Sequence, residues 1–597
     1  MASDHYCLRA PAAEIRLLDL LEATPSGTLA GRLRRVAIDA APSFISVSHV
    51  WGREETTQPM HIESGCGNKT LLISQNLESF LIGLLSHDST TLPQLWGNGT
   101  RLPMWIDMAC INQTDVSEKA AQIPLMRQIY SRANLVVIWI HEYDSYLRYA
   151  FQYFRRVLED NRTSFDPVGW DAVKRFLSSE WFHRRWVIQE AVLPPSAMFL
   201  CGPHCLTMDD LFRSVDLITG TLMARSKELK LRRYATTGIL RPLLALRKLH
   251  ESLRKQHRPG LLWLLENLRS TQATLAHDQV YGLLGLCNSE EASLIPIRYD
   301  WKPEGLYKSC AITHVQLHQD IEFLALCTPA QRNVSHQSWS ANESSLMVSG
   351  PTWVPNWQAR SLRRCLGPHG FEYDIQYFHA QGAIKTAISI DGDELAVTGV
   401  QLDRIQVLGN FCRPDRGSEL SDPNSELLQQ YFDFWMTLET DGTPYRDRMD
   451  RAEALARTLS LLGVYLNPIP LPEDVPSMFY RWCYGSTLGS QLEECGFPPR
   501  LEAPIEGEKE LIRLKRLLSW QPFITQKGYI GLAREQCSEG DEIWAIGGCS
   551  VPILLSQRDT QQSKREVRGE VFLDGFMFGE TLNGPMNTLH GEKVILV

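Results

Sequence analysis

The chain has 597 residues, more than one hydrophobic core usually serves, so roughly three or four folded units are expected. A content of 44% hydrophobic and 22% charged residues argues against a disordered chain or a fibre. Lys+Arg 60 against Asp+Glu 69 leaves a formal net charge of −9, which offers no footing for nucleic acid or an anionic membrane. Residues 1–30 lack a basic start followed by a continuous apolar run, because Arg16 and Asp19 interrupt it. No stretch has the uninterrupted apolar length needed to span a bilayer. The 14 cysteines are scattered singly from Cys7 to Cys549, which reads as reduced thiols in the cytoplasm, with the nucleus as the alternative. Asn68-Lys69-Thr70 is then a chance match to a glycosylation triplet.

In chain order, Phe44-Ile45-Ser46-Val47-Ser48 reads as a strand running into the turn His49-Val50-Trp51-Gly52. Met104-Trp105-Ile106-Asp107-Met108 is a second short apolar run and Leu135 to Ile140 a third, apolar throughout, as suits strands covered on both faces. Between them Val116, Ala120, Ile123, Met126, Tyr130 and Ala133 recur at helical steps. Asp115 is placed to cap that helix, with Glu118 completing a capping-box-like pair, and Pro124 should kink it. A further helix is expected from about Ser178 to Ala191, ended by Pro194-Pro195. Cys201-Gly202-Pro203-His204-Cys205 lacks a second ligand pair at zinc-like spacing; two buried thiols around a turn, with no metal, are expected.

From Met208 to Leu286 the pattern is mainly helical, with basic groups at Lys227 to Arg233 and Arg247 to Arg258 that read as solvated faces. Beyond about Glu343 the patterns shorten. Glu394 to Val400, Glu542 to Ile546, Pro552 to Leu555 and Val567 to Leu573 are strand candidates, and the last seventy or so residues read as a compact antiparallel unit. The expected organisation is a lead-in over 1–40, an α/β domain over 41–205, a mainly helical region over 206–342 and a mixed, β-rich region over 343–597.

Three ordered motifs carry a resemblance. Ser48-His49-Val50-Trp51-Gly52 resembles the first signature of the fungal heterokaryon-incompatibility (HET) domain, which usually has Tyr where His49 stands. Trp105-Ile106-Asp107-Met108-Ala109-Cys110-Ile111-Asn112-Gln113 resembles the second, and Trp181-x-x-Arg184-x-Trp186-x-x-Gln189-Glu190 the third. Asp278-Gln279-Val280-Tyr281-Gly282-Leu283-Leu284-Gly285-Leu286, Trp353-Val354-Pro355-Asn356-Trp357, Gly528 to Leu532 and Gly575 to Glu580 continue the likeness, which runs from about Ile15 to the end. Pro124 and Gln279 depart from the usual pattern.

The resemblance implies a parallel sheet flanked by helices, like that of the TIR domains to which HET domains are thought to be related. It also implies that Glu190 is the counterpart of the catalytic glutamate of NAD-cleaving TIR domains, so that NAD enters as a substrate and not as a resident cofactor. Such a carboxylate would face an oxocarbenium-like ribosyl centre as nicotinamide leaves. The spacing of Trp186 and Glu190 puts an indole and a carboxylate on one helix face, and burial there would raise the acid's pKa. Ser48, Trp51 and Asp107 are expected at the carboxyl ends of adjacent strands, where ligands of open α/β sheets bind, with Asn112 following at a helix start. Equally open are structural roles: Glu190 pairing with Arg184, Arg185 or Arg127, Asn112 and Gln113 holding a turn, and Trp51 and Trp105 filling core.

No Gly-x-Gly-x-x-Gly after a strand, phosphate-binding loop or serine-hydrolase elbow occurs, and nothing beside His49 or His61 completes a nucleophile–base pair. Three functions stand at this point. One is self/non-self recognition that triggers cell death through NAD consumption. Another is signalling by self-association and protein partners without catalysis. The third is an accessory role in another pathway, such as secondary metabolism.

Overall fold

The computed structural model describes residues 8, 10–21, 28–51, 58–63, 69–90, 92–140, 145–160, 166–202, 204–229, 237–327, 350–358, 366, 378–409, 426–437, 442–461, 473–483, 486–497, 520–534, 537–557, 563–579 and 591–597, without the side chains of 219 and 221–242. Gly52, Asn68 and Glu580 lie outside them, as do the side chains of the basic stretch Lys227 to Arg233. The chain divides into two compact units, Met1–Pro303 and Glu304–Val597.

In the first unit the strands are β1 (Glu14–Leu20), β2 (Ala30–Ala37), β3 (Ile45–His49), β4 (Gln58–Glu63), β5 (Lys69–Ile73), a small separate hairpin of β6 (Trp96–Gly97) and β7 (Thr100–Arg101), then β8 (Met104–Trp105), β9 (Leu135–Trp139), β10 (Ala197–Cys201) and β11 (His204–Thr207). The helices are α1 (Gln75–Leu85), α2 (Asp107–Cys110), α3 (Val116–Gln122), α4 (Met126–Arg132), α5 (Ser145–Asp160), α6 (Pro167–Leu177), α7 (Val187–Val192), α8 (Met208–Leu229), α9 (Thr237–Arg254), α10 (Leu261–Asn267), α11 (Asp278–Leu284) and α12 (Ser289–Leu294). Nine strands form one sheet in the order β11-β10-β9-β3-β8-β1-β2-β4-β5.

Its centre, β10-β9-β3-β8, is parallel, as expected for the strands at Phe44–Ser48, Met104–Met108 and Leu135–Ile140, with β10 a further strand not expected from the sequence. The sheet as a whole is mixed, which corrects the expectation of a parallel one: β1 runs antiparallel to β8 and β2, while β5 and β11 turn back at the edges. Residues 1–40, read above as a lead-in, therefore supply β1 and β2 to this sheet. What hid β1 is Arg16, a charge in the middle of a strand. It is 1% exposed and paired with Glu118 at 2.6 Å, so the strand's alternation cannot be read without its distant partner.

Pro124 interrupts the helix after β8 as expected. A 3-10 turn over Ile123–Leu125 separates α3 from α4. Asp115 caps α3 by accepting from Ser117 and Glu118 N–H groups. Glu118 does not complete a capping box: it accepts from Arg16 and from the Asn112 N–H at 2.7 Å. Val116, assigned to the apolar stripe, is 65% exposed at the first turn. The continuous helix expected over Ser178–Ala191 is also broken. Glu180–His183 is a 3-10 turn, and Arg184 is extended because the backbone here pairs with Gln272, through Arg185 N to Gln272 O and Gln272 N to His183 O, both 2.6 Å. Only α7 follows. Cys201 is buried on β10 but Cys205 is exposed on β11, so the pair of buried thiols becomes one.

The second unit opens with helix α13 (Pro303–His318) and holds β12 (Ser389–Asp391), β13 (Glu394–Leu408), α14 (Glu426–Met436), α15 (Arg448–Ser460), α16 (Val475–Cys483), α17 (Thr487–Glu494), β14 (Trp520–Thr525), β15 (Ile530–Arg534), β16 (Glu542–Ile546), β17 (Ile553–Gln557), β18 (Lys564–Leu573) and β19 (Glu592–Leu596). The terminal antiparallel unit is larger than the sequence suggests. β13, with irregularities at Gln401/Asp403 and Ile405/Val407, pairs with β16 along one stretch and β14 along the next. That closes β13-β14-β15-β18-β17-β16 into a six-stranded antiparallel barrel around Phe523, Ile543, Leu554 and Leu573. β19 adds antiparallel to β13 and parallel to β18. Gly531 allows the β14–β15 approach, since a Cβ there would meet the Phe523 ring and stand 2.6 Å from the Phe572 carbonyl oxygen. Among the described residues no helix is long and apolar enough to cross a membrane.

Candidate functional site

Strand alternation divides the chemistry at the carboxyl end of β3. Ser48 and its register partner Ile138 point to one face, His49 and its partner Trp139 to the other. On the His49 side α1 presents Asn76, which donates to the Val50 carbonyl at 2.7 Å and accepts from the Trp139 indole at 2.9 Å. On the Ser48 side lie Trp181, α4 and α7. The Trp181 indole donates to Ser48 Oγ at 2.7 Å, and the Ser48 hydroxyl donates to Glu190 Oε2. Tyr130 supplies a second hydroxyl to the same carboxylate and packs edge-on against Trp105, with ring centroids 5.5 Å apart.

Glu190 is 4% exposed. Burial pushes its carboxyl up to about 7; the Arg184 charge opposes the shift, the Asp107 charge adds to it, and the two hydroxyls oppose it. His49, also buried, is pushed down to about 4, chiefly by desolvation, with Asp107 opposing and Arg184 reinforcing. Its imidazole is therefore neutral at physiological pH, and its Nδ1 stands 3.9 Å from Asp107 Oδ1. Burial and the neighbouring carboxylates hold the Tyr130 phenol well above its ordinary value, so it remains a donor.

Asp107 follows β8 and starts α2. Its Oδ1 accepts from the Met108 N–H at 2.7 Å and its Oδ2 from the half-buried Trp51 indole at 2.9 Å, which ties the loop after β3 to the loop after β8. Gln113 holds the Asp107 carbonyl at 2.8 Å, while Asn112 accepts from Thr114 N and Oγ1 within its own turn. Trp105 is fully buried. The geometry thus brings Ser48, Trp51, Asp107 and Glu190 to the ends of neighbouring parallel strands, and leaves Asn112 occupied locally.

Trp186 does not share a wall with Glu190. Its indole donates to Asp278 Oδ2 at 3.1 Å, and Asp278 Oδ1 accepts from Tyr299 at 2.6 Å. The indole beside the carboxylate is Trp181, held by Phe182 and Phe199 at centroid distances of 5.0 and 5.1 Å. Nor, among the described residues, does an arginine bond Glu190. Arg185 turns to Gln279, with Nε to Oε1 at 3.0 Å, and Arg184 donates to the His49 carbonyl. Four residues of the cluster, His49, Tyr130, Trp181 and Arg184, were not among the site candidates, although three of them stand in a motif and Tyr130 stands in the apolar stripe of the helix that follows the second motif. Their membership depends on which of several possible faces each motif turns inward.

The downstream segment around α11 explains how α7 is fixed. Gln189 donates to the Gly282 carbonyl at 2.9 Å. A Cβ at Gly282 would come within 2.7 Å of Arg185 Cγ, and one at Gly285 would collide with Gln189 Oε1. The two glycines let α11 lie against residues 185–189, so the third motif and the segment 278–286 are one packing unit.

Comparisons with known proteins agree with the motifs. Residues 44–190 match the family model described as "Heterokaryon incompatibility protein (HET)". The chain is 22% identical to "Heterokaryon incompatibility protein 6, OR allele" of Neurospora crassa, over 97% of this chain and 95% of that protein. No solved structure matches. Residues 44–190, which hold every member of the cluster from Ser48 to Glu190, are thus the part of the chain that matches the HET family model, within a chain that is similar over almost its whole length to a heterokaryon incompatibility protein.

Proposed function

We propose that this chain acts in heterokaryon incompatibility, and that its HET domain cleaves NAD as TIR domains do, with Glu190 as the catalytic carboxylate. The observation that carries this reading is the setting of Glu190: a carboxyl at the carboxyl ends of parallel strands, titrating near 7, with two hydroxyl donors and no bonded cation. In the reaction the bond between the ribose anomeric carbon and nicotinamide breaks, and nicotinamide leaves with the electron pair. A carboxylate stabilises the ribosyl cation, and water captures it, releasing ADP-ribose and a proton. Trp51 and Asp107, partly exposed and bonded to each other, would line the approach with Ser48. NAD depletion in the cytoplasm would then be the signal for cell death, with self-association or a protein partner as its trigger.

The same enclosure supports a second reading, in which Glu190 is a buried polar pin and the domain signals by assembly alone. Nicotinamide release by the full chain at high concentration separates the two. Glu190→Gln keeps the side chain's size but removes the charge, and turnover should fall by about a hundredfold or more with the fold intact. Wild-type protein that releases no nicotinamide overturns the enzymatic reading. Release that persists in the variant removes Glu190 from the role.

A further inference from the structure

Trp181 makes no hydrogen bond to the carboxylate itself, yet it is fully buried with its only polar side-chain atom directed at Ser48 Oγ, 2.7 Å away. An indole N–H can only donate. Ser48 Oγ therefore accepts from Trp181, and its own hydrogen is left for another acceptor, which is Glu190 Oε2. Without Trp181 the hydroxyl could rotate and accept from a protonated Glu190. With Trp181 in place, one of the two lone pairs of Oγ is occupied, which biases the hydroxyl towards donating, and a hydroxyl that donates favours the charged form of a carboxyl group.

We propose that Trp181 is a positioning residue that acts through Ser48, orienting its hydroxyl so that Glu190 is held as a carboxylate ready to face a cation. This rests on the proposed role of Glu190 for its functional meaning, but the electrostatic claim stands on the hydrogen-bond chain alone. The other groups facing Glu190 are the Tyr130 hydroxyl from α4, the Arg184 guanidinium from the turn before α7 and the Asp107 carboxylate from the loop after β8. On α11, packed against α7, Asp278 is engaged by Trp186 and Tyr299, and Gln279 by Arg185. None of these side chains bonds the Trp181 indole, although the Arg184 backbone N–H donates to the Trp181 carbonyl at 3.2 Å, so it is the loss of the indole N–H alone that reaches Glu190 by way of Ser48.

The test is an infrared titration of the Glu190 carboxyl in the full chain, with Glu190→Gln as the reference spectrum, in wild type, Trp181→Phe, Ser48→Ala and the double variant. Trp181→Phe and Ser48→Ala should each raise the midpoint by about one unit, and the double variant should move no further than Ser48→Ala alone. Because Trp181 also fills an aromatic cluster, its replacement by benzothienylalanine keeps the ring shape and puts sulfur where the N–H was; the same rise is expected. A midpoint left in place when the N–H alone is removed overturns the proposal, and so do shifts that add in the double variant. Nicotinamide release against pH provides the functional reading: its acid limb should move up with the titration. If wild type releases none, the activity proposed above fails, while the titration still decides the role of Trp181.

Discussion

Each unit of this protein buries glutamates, and the units treat them differently. In the barrel, Glu542 is fully enclosed but bonds Arg404 at 2.5 Å, Arg565 at 2.7 Å and the Trp544 indole at 3.0 Å. Glu570, equally enclosed, bonds Arg534, whose guanidinium also stacks on Trp520 at 4.0 Å. In the sheet unit, Glu118 is treated the same way by Arg16. Glu190 has only hydroxyls. Glu542, Glu570 and Glu118 are each neutralised by a bonded arginine; Glu190, beside the strand-end crevice, is left with its charge uncompensated at contact distance. Uncompensated burial costs stability, so a site that retains it points to a use for the charge. Glu322 limits the contrast. It too is buried without a bonded cation, receiving the Ser550 N–H and hydroxyl, and burial pushes it up to about 7.

The largest expected effect breaks the paired class. Glu542→Ala leaves Arg404 and Arg565 facing a buried void, and the second unit should lose roughly 3–5 kcal/mol in urea denaturation. A loss below about 1 kcal/mol would show that the barrel's ion pairs are dispensable and that the contrast with Glu190 carries no information.

The next effect sharpens the unpaired class, through pH. Glu190 and Glu322 have folded values of about 7, raised above the usual glutamate value near 4.5. The folded state therefore holds each proton more tightly than the unfolded state. The stabilisation from each is fully present below about pH 4.5 and is lost as pH rises to about 7. At pH 8 each carboxylate should cost roughly 3 kcal/mol relative to a neutral isostere in the same place. Glu190→Gln and Glu322→Gln should accordingly flatten the decline in stability between pH 5 and pH 8, measured by urea midpoints. An unchanged slope in either variant would mean that its carboxyl is solvated in the folded state.

The smallest effect concerns Asn112, whose side chain serves its own exposed turn. Asn112→Ala should cost no more than about 1 kcal/mol and leave nicotinamide release unchanged. A large loss of activity would bring the helix start back into the site.

Much of this protein could be read from its residues in order. The alternating, partly β-branched segment Phe44–Ser48 marks a strand, and the unbroken apolar run Leu135–Ile140 marks one covered on both faces, which has no polar alternation to show. Asp115 determines a helix start and Pro124 its break, since capping and the missing proline N–H act within a few residues. The motifs around Ser48, Asp107 and Glu190 identify one domain and place three of its polar groups at strand ends. What only the tertiary structure decided involves partners far apart along the chain. Arg16 enters a strand because Glu118, over a hundred residues later, neutralises it. The expected helix over Ser178–Ala191 gives way at Arg184 because Gln272 offers its backbone a better hydrogen-bond partner. Trp181, not Trp186, reaches the Glu190 cluster, since that break rotates the two indoles away from helical spacing. β13 bends and pairs on both sides to close the barrel. Local sequence encodes backbone preference and pattern within about one turn or one strand. Which distant group satisfies a buried charge or an unpaired N–H is decided only when the elements pack.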